Sequence, residues 1–450
     1  MNNIKTDGIR EIRRRFRNSL RRGTGEAILI ARQHPEINFS RDVERSIFLD
    51  IDYDVQSDGL REKYYAELIE LCKHKAEMIL SVAQRLWSES KDYWLIARCF
   101  GIAGIFAASG SMQCKRAMYR RYFHRLPNSW ITTGENDLIK ADGITAIKHI
   151  MSLKGKRMRA GGYNADLCDL TDIESYQEDH PELDLMTELR NDTSNDADLQ
   201  FFLDWQETFQ KTSQEKKETS DTKNAWQTSS YEQIKSNIDS YRIIPAGPRS
   251  IRMLPEENFK KLADDFLLET VPLKQEKYMR IFSERQYPYD YKSLLSIARG
   301  KNFKQTRLVE YACRSLRFFK GADIREFAFN ILCQTVGQQG GTYLFVSNYE
   351  PGDAAFLASV VKRAKSENKA HALAWGIVDI YENNMTPECR EPLESLYDRI
   401  NCGTHRLQIL KLLDKNNVLS QRIRDEIPYD GSNYVREFAE ELTKINHHIY

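Results

Sequence analysis

Long apolar runs, strand-like alternation, clustered cysteine pairs and a net charge are all wanting in this chain of 450 residues, and each absence removes a class of protein. The longest uninterrupted apolar-plus-glycine stretch runs from Cys99 to Ala108, about half of what a membrane span requires. The arginine-rich N-terminus is not followed by an apolar segment, so it does not read as a secretory signal. Eight cysteines occur without a single CxxC, and most sit among apolar neighbours, as in Arg98-Cys99-Phe100 and Leu332-Cys333. A disulfide framework is therefore not expected, and the chain reads as a reduced, cytoplasmic protein with no membrane partner. Lys+Arg (66) and Asp+Glu (65) balance to a net charge of +1, which leaves no global field for nucleic acid or membrane.

Catalytic signatures are missing as well. No G-x-S-x-G, H-E-x-x-H or kinase set is present. The glycine-rich segment Gly337-Gln-Gln-Gly340-Gly341-Thr342 has neither the Lys-Ser/Thr of a phosphate loop nor a third spaced glycine, and reads as a helix-terminating loop. No catalytic residue and no cofactor is expected.

What the sequence does hold is helical periodicity. Ile9, Ile12, Phe16 and Leu20 recur at i, i+3, i+4 spacing, as do Tyr64, Leu68 and Leu71. Further helices are predicted at 74–89, 92–109, 111–125 and 135–153, separated by short polar breaks such as Ser90-Lys91-Asp92. Thr342 to Val346 is the one short β-like run. Trp87, Trp94, Trp130 and Trp375 fall in helical or helix-flanking context and are assigned to the core. Short helices with short turns imply antiparallel neighbours, stacked as a bundle or a solenoid.

A recurring local pattern favours the solenoid. In Gly321-Ala-Asp-Ile324-Arg325-Glu-Phe-Ala328, with Leu332 beyond, a turn opens a helix with an aliphatic residue, then Arg, then Ala three on. Asp430-Gly-Ser-Asn-Tyr-Val435-Arg436-Glu-Phe-Ala439, with Leu442, repeats it, and weaker copies begin at Thr306, Cys389, His405 and Cys114. The small Ala lets a neighbouring helix approach, while an Arg at a helix start opposes the dipole and calls for a compensating carboxylate. This turn–[Val/Ile]-Arg-x-x-Ala-x-x-x-Leu pattern resembles HEAT-like repeats over most of 292–445 and, less sharply, 24–153. Leu20–Ala27, Asn348–Asp353, Asn384–Cys389 and Asp425–Asp430 resemble segments of bacterial HEAT-like proteins. The resemblance implies an all-α, armadillo-type solenoid of antiparallel helix pairs, and carries no activity with it. HEAT-like DNA glycosylases make an enzyme of the same architecture the rival reading, but spacing alone does not place a Trp–Asp–Arg set on one face.

The middle departs from the pattern. Residues 164–198 hold twelve Asp/Glu against Arg190 alone, and 206–230 are rich in Gln, Thr, Ser, Lys and Glu. We expect an N-terminal HEAT-like block over 1–160, an acidic connector over 161–240 with a disordered stretch at 210–230, and a C-terminal block over 241–450. Phe201, Phe202, Leu203 and Trp205 should nonetheless find something to pack on.

Two groups of residues point to binding. Residues 1–32 carry nine Arg/Lys against three acids, and at 100° per residue Arg10, Arg13, Arg14, Arg17 and Arg21 share one flank of the first helix. Such a stripe suits an acidic protein surface or phosphates, or else is a solvated outer face paired with the chain's own acids. Cys389, Cys402 and His405 have metal-ligand chemistry, and His447-His448 reads as a frayed tail. A structural zinc wants four ligands in close pairs, however, so these cysteines are assigned to the repeat core and no metal is expected. The expected function is a non-enzymatic scaffold holding a protein partner, with nucleic-acid binding as the alternative.

Overall fold

Every regular element among the described residues is helical, and no strand occurs there. The computed structural model describes residues 2–49, 59–88, 92–124, 134–161, 170–191, 196–219, 230–242, 247–300, 306–334 and 340–447. The chain is all-α over these residues, as its periodicity predicts. Among these residues no helix is long and apolar enough to cross a membrane.

Helix boundaries follow local chemistry. Asp92 accepts from the Leu95 amide (3.1 Å) to start Tyr93–Ala108, and Ser111 accepts from Cys114 to start Met112–Phe123. The helix predicted over 135–153 is two helices, Glu135–Asp142 and Ile144–Arg159. They are divided at Gly143, whose φ of 55° and ψ of −135° only glycine adopts readily. The β-like run is a 3-10 helix, Thr342–Phe345. Its four residues are all buried, so their apolar character serves packing on all sides and not the two-faced alternation of a strand.

By contacts the chain divides into two compact units, Met1–Lys223 with Asp425–Tyr450, and Asn224–Arg424. Residues 425–450 thus join the first unit, where the repeat pattern had grouped them with 241–424. The Gly431 amide donates to the Gly23 carbonyl (2.6 Å), Arg436 pairs with Glu67 (2.7 Å), and Arg32 lies over the Tyr429 ring. A Cβ on Gly25 would meet the Glu426 carbonyl oxygen at 2.0 Å, so only glycine permits this approach.

The acidic segment is also part of the first unit and is more structured than its composition suggests. Thr171–Asp179 and Leu185–Asn191 are helical, and Ala197–Thr219 is one helix, so residues 210–219 of the expected disordered stretch are helical while 220–229 lie outside the described residues. Ile173, Leu185, Leu189, Leu199, Phe202 and Leu203 are buried. These few apolar residues, spread over three helices, hold the acidic segment against the core of the first unit. Ala197–Thr219 packs on Ile144–Arg159, where Gly155 faces the Asp198 carbonyl.

In the second unit, consecutive helices pack on their next and next-but-one neighbours: Lys292–Ala298 and Pro272–Phe282 on Thr306–Leu316, Asp353–Arg363 on Arg390–Tyr397, Glu367–Asn383 on Gly403–Lys415. Ile324, Ala328 and Leu332 are fully buried, and Arg325 forms a two-pronged bond to Asp353 (2.6 and 2.7 Å), the first residue of the following helix. That carboxylate offsets the cost of a cation at a helix start.

Candidate functional site

The arginine stripe is largely spent within the chain. Arg13 (3.3 Å) and Arg17 (2.8 Å) both reach Asp42 of helix Ser40–Phe48, and Arg13 also donates to the Asn38 carbonyl. Arg14 grips Glu11 with two hydrogen bonds of 2.6 and 2.7 Å. Arg10 and Arg21 are exposed. The compensating acids are Asp42 and Glu11, from the stripe's own neighbourhood. Beside the stripe, Arg17, Arg21, Arg41 and Arg45 surround Asp42 over an apolar floor of Leu20 and Leu49, in a pocket of about 360 Å³.

A second basic face is built differently. In helix Met112–Phe123, Met112, Lys115, Arg116, Tyr119, Arg120 and Phe123 follow i, i+3, i+4 spacing on one side, while Cys114, Ala117, Met118 and Tyr122 fill the buried side. With Trp87, His124 and His149 they line an open cleft of about 620 Å³, and no carboxylate is among its described lining residues. Trp87 is 52% exposed at the end of helix Lys75–Trp87, with the Arg120 guanidinium 5.0 Å from its ring centre. Tyr119 and Phe123 stack at 5.8 Å, and His149 sets its edge against Tyr119 at 5.6 Å. Behind the lining, Asp142 holds Lys115 (2.5 Å) and accepts from the Tyr119 hydroxyl (2.7 Å). Burial, and then the Asp142 bond, push the Tyr119 phenol well up, so it stays a neutral donor.

The tryptophan assignments need correction accordingly. Trp87 and Trp375 are about half exposed (52% and 48%), Trp94 is half-buried, and Trp130 lies outside the described residues. A tryptophan at the end of an amphipathic helix satisfies the helical pattern whether or not a neighbour covers it. Spacing therefore could not separate cover from display. The cleft itself had a readable signal, the alternation of aromatic and basic residues across 112–124.

Of the residues with metal-ligand chemistry, Cys402 and His405 come together, with the His405 Nδ1 3.3 Å from the Cys402 Sγ. Cys389 is buried, and burial pushes its thiol up to about 11, but it is not in that group; His371 is. His447-His448 lies outside the described side chains. No protein-family model matches the chain, and no curated protein or solved structure was found to match it.

Proposed function

We propose that the chain is a non-enzymatic binding scaffold of HEAT-like helix pairs, and that its first unit holds single-stranded nucleic acid in the Trp87 cleft. The helix order supports the architecture: in the second unit neighbours in sequence are neighbours in space, and Arg325 is answered by Asp353 at the start of the next α-helix. One observation carries the choice of partner. The cleft combines the ring faces of Trp87, Tyr119 and Phe123 with Arg116, Arg120 and Lys115, and no carboxylate is among the described residues that line it. Bases stack on such rings whatever their identity, and the cations between them neutralise the phosphates. The basic stripe, by contrast, supports a second reading, because Arg41 and Arg45 beside Leu20 and Leu49 suit a short acidic segment of a protein partner.

Fluorescence anisotropy of the full chain with labelled single-stranded oligonucleotides, duplex of the same sequence and polyglutamate separates these readings. Saturable single-strand binding that weakens as salt rises from about 50 to 200 mM is expected. Equal affinity for duplex would overturn the stacking reading of the cleft, and binding of polyglutamate alone would replace nucleic acid with an acidic protein as the partner. No saturable binding of any strand at about 50 mM salt removes the proposal.

A further inference from the structure

We propose that the second unit binds one divalent transition-metal ion of the zinc class through His371, Cys402 and His405. Two helix starts build the group. Ser366 caps helix Glu367–Asn383 by accepting from the Lys369 amide, and this helix sets Glu367, His371 and Trp375 at successive i+4 positions on one face. Cys402 is the residue on which helix Gly403–Lys415 opens, so His405 stands in the first turn directly beside it. Packing of these two helices brings the three ligand atoms within 4.8 Å of one another. No sequence window contains this set, because His371 lies more than thirty residues before Cys402.

Spacing and environment both suit an ion. Two ligands on one tetrahedral zinc, a nitrogen at about 2.0 Å and a sulfur at about 2.3 Å, sit about 3.6 Å apart. The His405 Nδ1 and Cys402 Sγ are 3.3 Å apart. The His371 and His405 rings meet edge to face with centres 4.5 Å apart, and the Trp375 ring walls His405 at the same separation. Cys402 and His405 are buried, while His371 is half-buried, which leaves a route for the ion from solvent.

The donor set adds a chemical reason. A thiolate and two imidazoles form a set that selects zinc, cobalt or copper over magnesium or calcium.

Surrounding residues hold the ligands in place. Asn401 donates to the Glu367 carboxylate (3.2 Å) and accepts from Arg406 at its carbonyl (3.0 Å), which fixes the turn before Cys402 against the helix that carries His371. Glu367 and Asn401 are positioning residues in this arrangement, and the fourth coordination position is left to water, as in three-ligand zinc sites.

Cobalt(II) titration of the chelator-treated full chain, followed by absorbance, tests the site, with the metal content per chain measured by mass spectrometry. One equivalent is expected to bind with a near-ultraviolet thiolate-to-cobalt band and intense visible bands of tetrahedral geometry, and zinc should displace it. Cys402→Ser should abolish the thiolate band, and His371→Ala should weaken cobalt binding at least about tenfold. Cys333→Ser, at an exposed cysteine, should change neither. His371 is half-buried, so its variant reads out the site even if the Cys402 variant fails to fold. Absence of saturable one-to-one uptake, a thiolate band that survives Cys402→Ser, or full affinity in His371→Ala would overturn the proposal.

Discussion

Helices Asn2–Arg22 and Met112–Phe123 are both rich in arginine, yet they dispose of their charge in opposite ways. In the first, Asp42 and Glu11 take up Arg13, Arg17 and Arg14. In the second, Arg120 rests on an exposed tryptophan, Arg116 is exposed, Lys115 pairs with Asp142 and Arg121 donates to the Ser88 carbonyl. The first helix carries eight Lys/Arg in 21 residues and the second four in 12; they differ in what receives the charge. Charge matched inside the chain contributes to stability, and charge displayed on rings is left for binding.

The strongest way to break that distinction is the most completely matched cation in the molecule. Lys154, fully buried, pairs with Glu135 at 3.0 Å, and the Tyr122 hydroxyl completes the carboxylate's shell at 2.5 Å. Lys154→Ala leaves a buried, unpaired carboxylate and should destabilise the chain by about 3–5 kcal/mol in urea unfolding. A cost under about 1 kcal/mol would show that internal matching contributes little here.

Asp137 is the converse case, a carboxylate near Glu62 and Asp172 with Lys140 as an opposing charge. Burial first, and Glu62 second, raise its pKa from the ordinary 3.8 to about 6. The unfolded chain therefore loses this proton at lower pH than the folded one. Its contribution to stability is complete below about pH 4, falls as pH rises towards 6, and is lost above. Asp137→Asn should flatten that part of the profile and add at most about 3 kcal/mol at pH 7. Parallel pH–stability curves for the two proteins would contradict this.

Trp87→Ala should weaken single-strand binding by about 1–3 kcal/mol, while unfolding changes little because the ring is half exposed. Arg116→Glu with Arg120→Glu should weaken it further and reduce the slope of log affinity against log salt by about 1.4 for two lost phosphate contacts. The same reversal at Arg10 and Arg14 should leave oligonucleotide affinity unchanged. Equal losses from both helices would erase the comparison.

Asp42→Ala should have the smallest effect. Arg17, one of its partners, is largely exposed, and the two pairs together should contribute about 1 kcal/mol or less.

The helices themselves were legible because apolar spacing is a local property. Expected spans at 74–89 and 92–109 end within two residues of Lys75–Trp87 and Tyr93–Ala108. The need of Arg325 for a carboxylate was also legible, since a cation at a helix start is a local conflict, and Asp353 resolves it. What escaped depends on distant chain. Whether Trp87 is covered, whether Phe202 finds a core, and whether Cys402 gains a second histidine are decided by helices tens of residues away. Composition misled at 197–219 because Glu, Lys and Gln suppress burial yet favour helix, and one apolar face sufficed.

The return of residues 425–447 to the first unit also sets an order of events during synthesis. Glu67 leaves the ribosome 369 residues before Arg436, and Gly23 must wait longer still for Gly431. Throughout that interval the whole of 224–424 emerges and can pack, while the unit that began first still lacks its closing helix. A nascent chain halted near 424 would therefore present a finished later unit beside an earlier one with an open seam, which is where a chaperone or a protease would find its purchase.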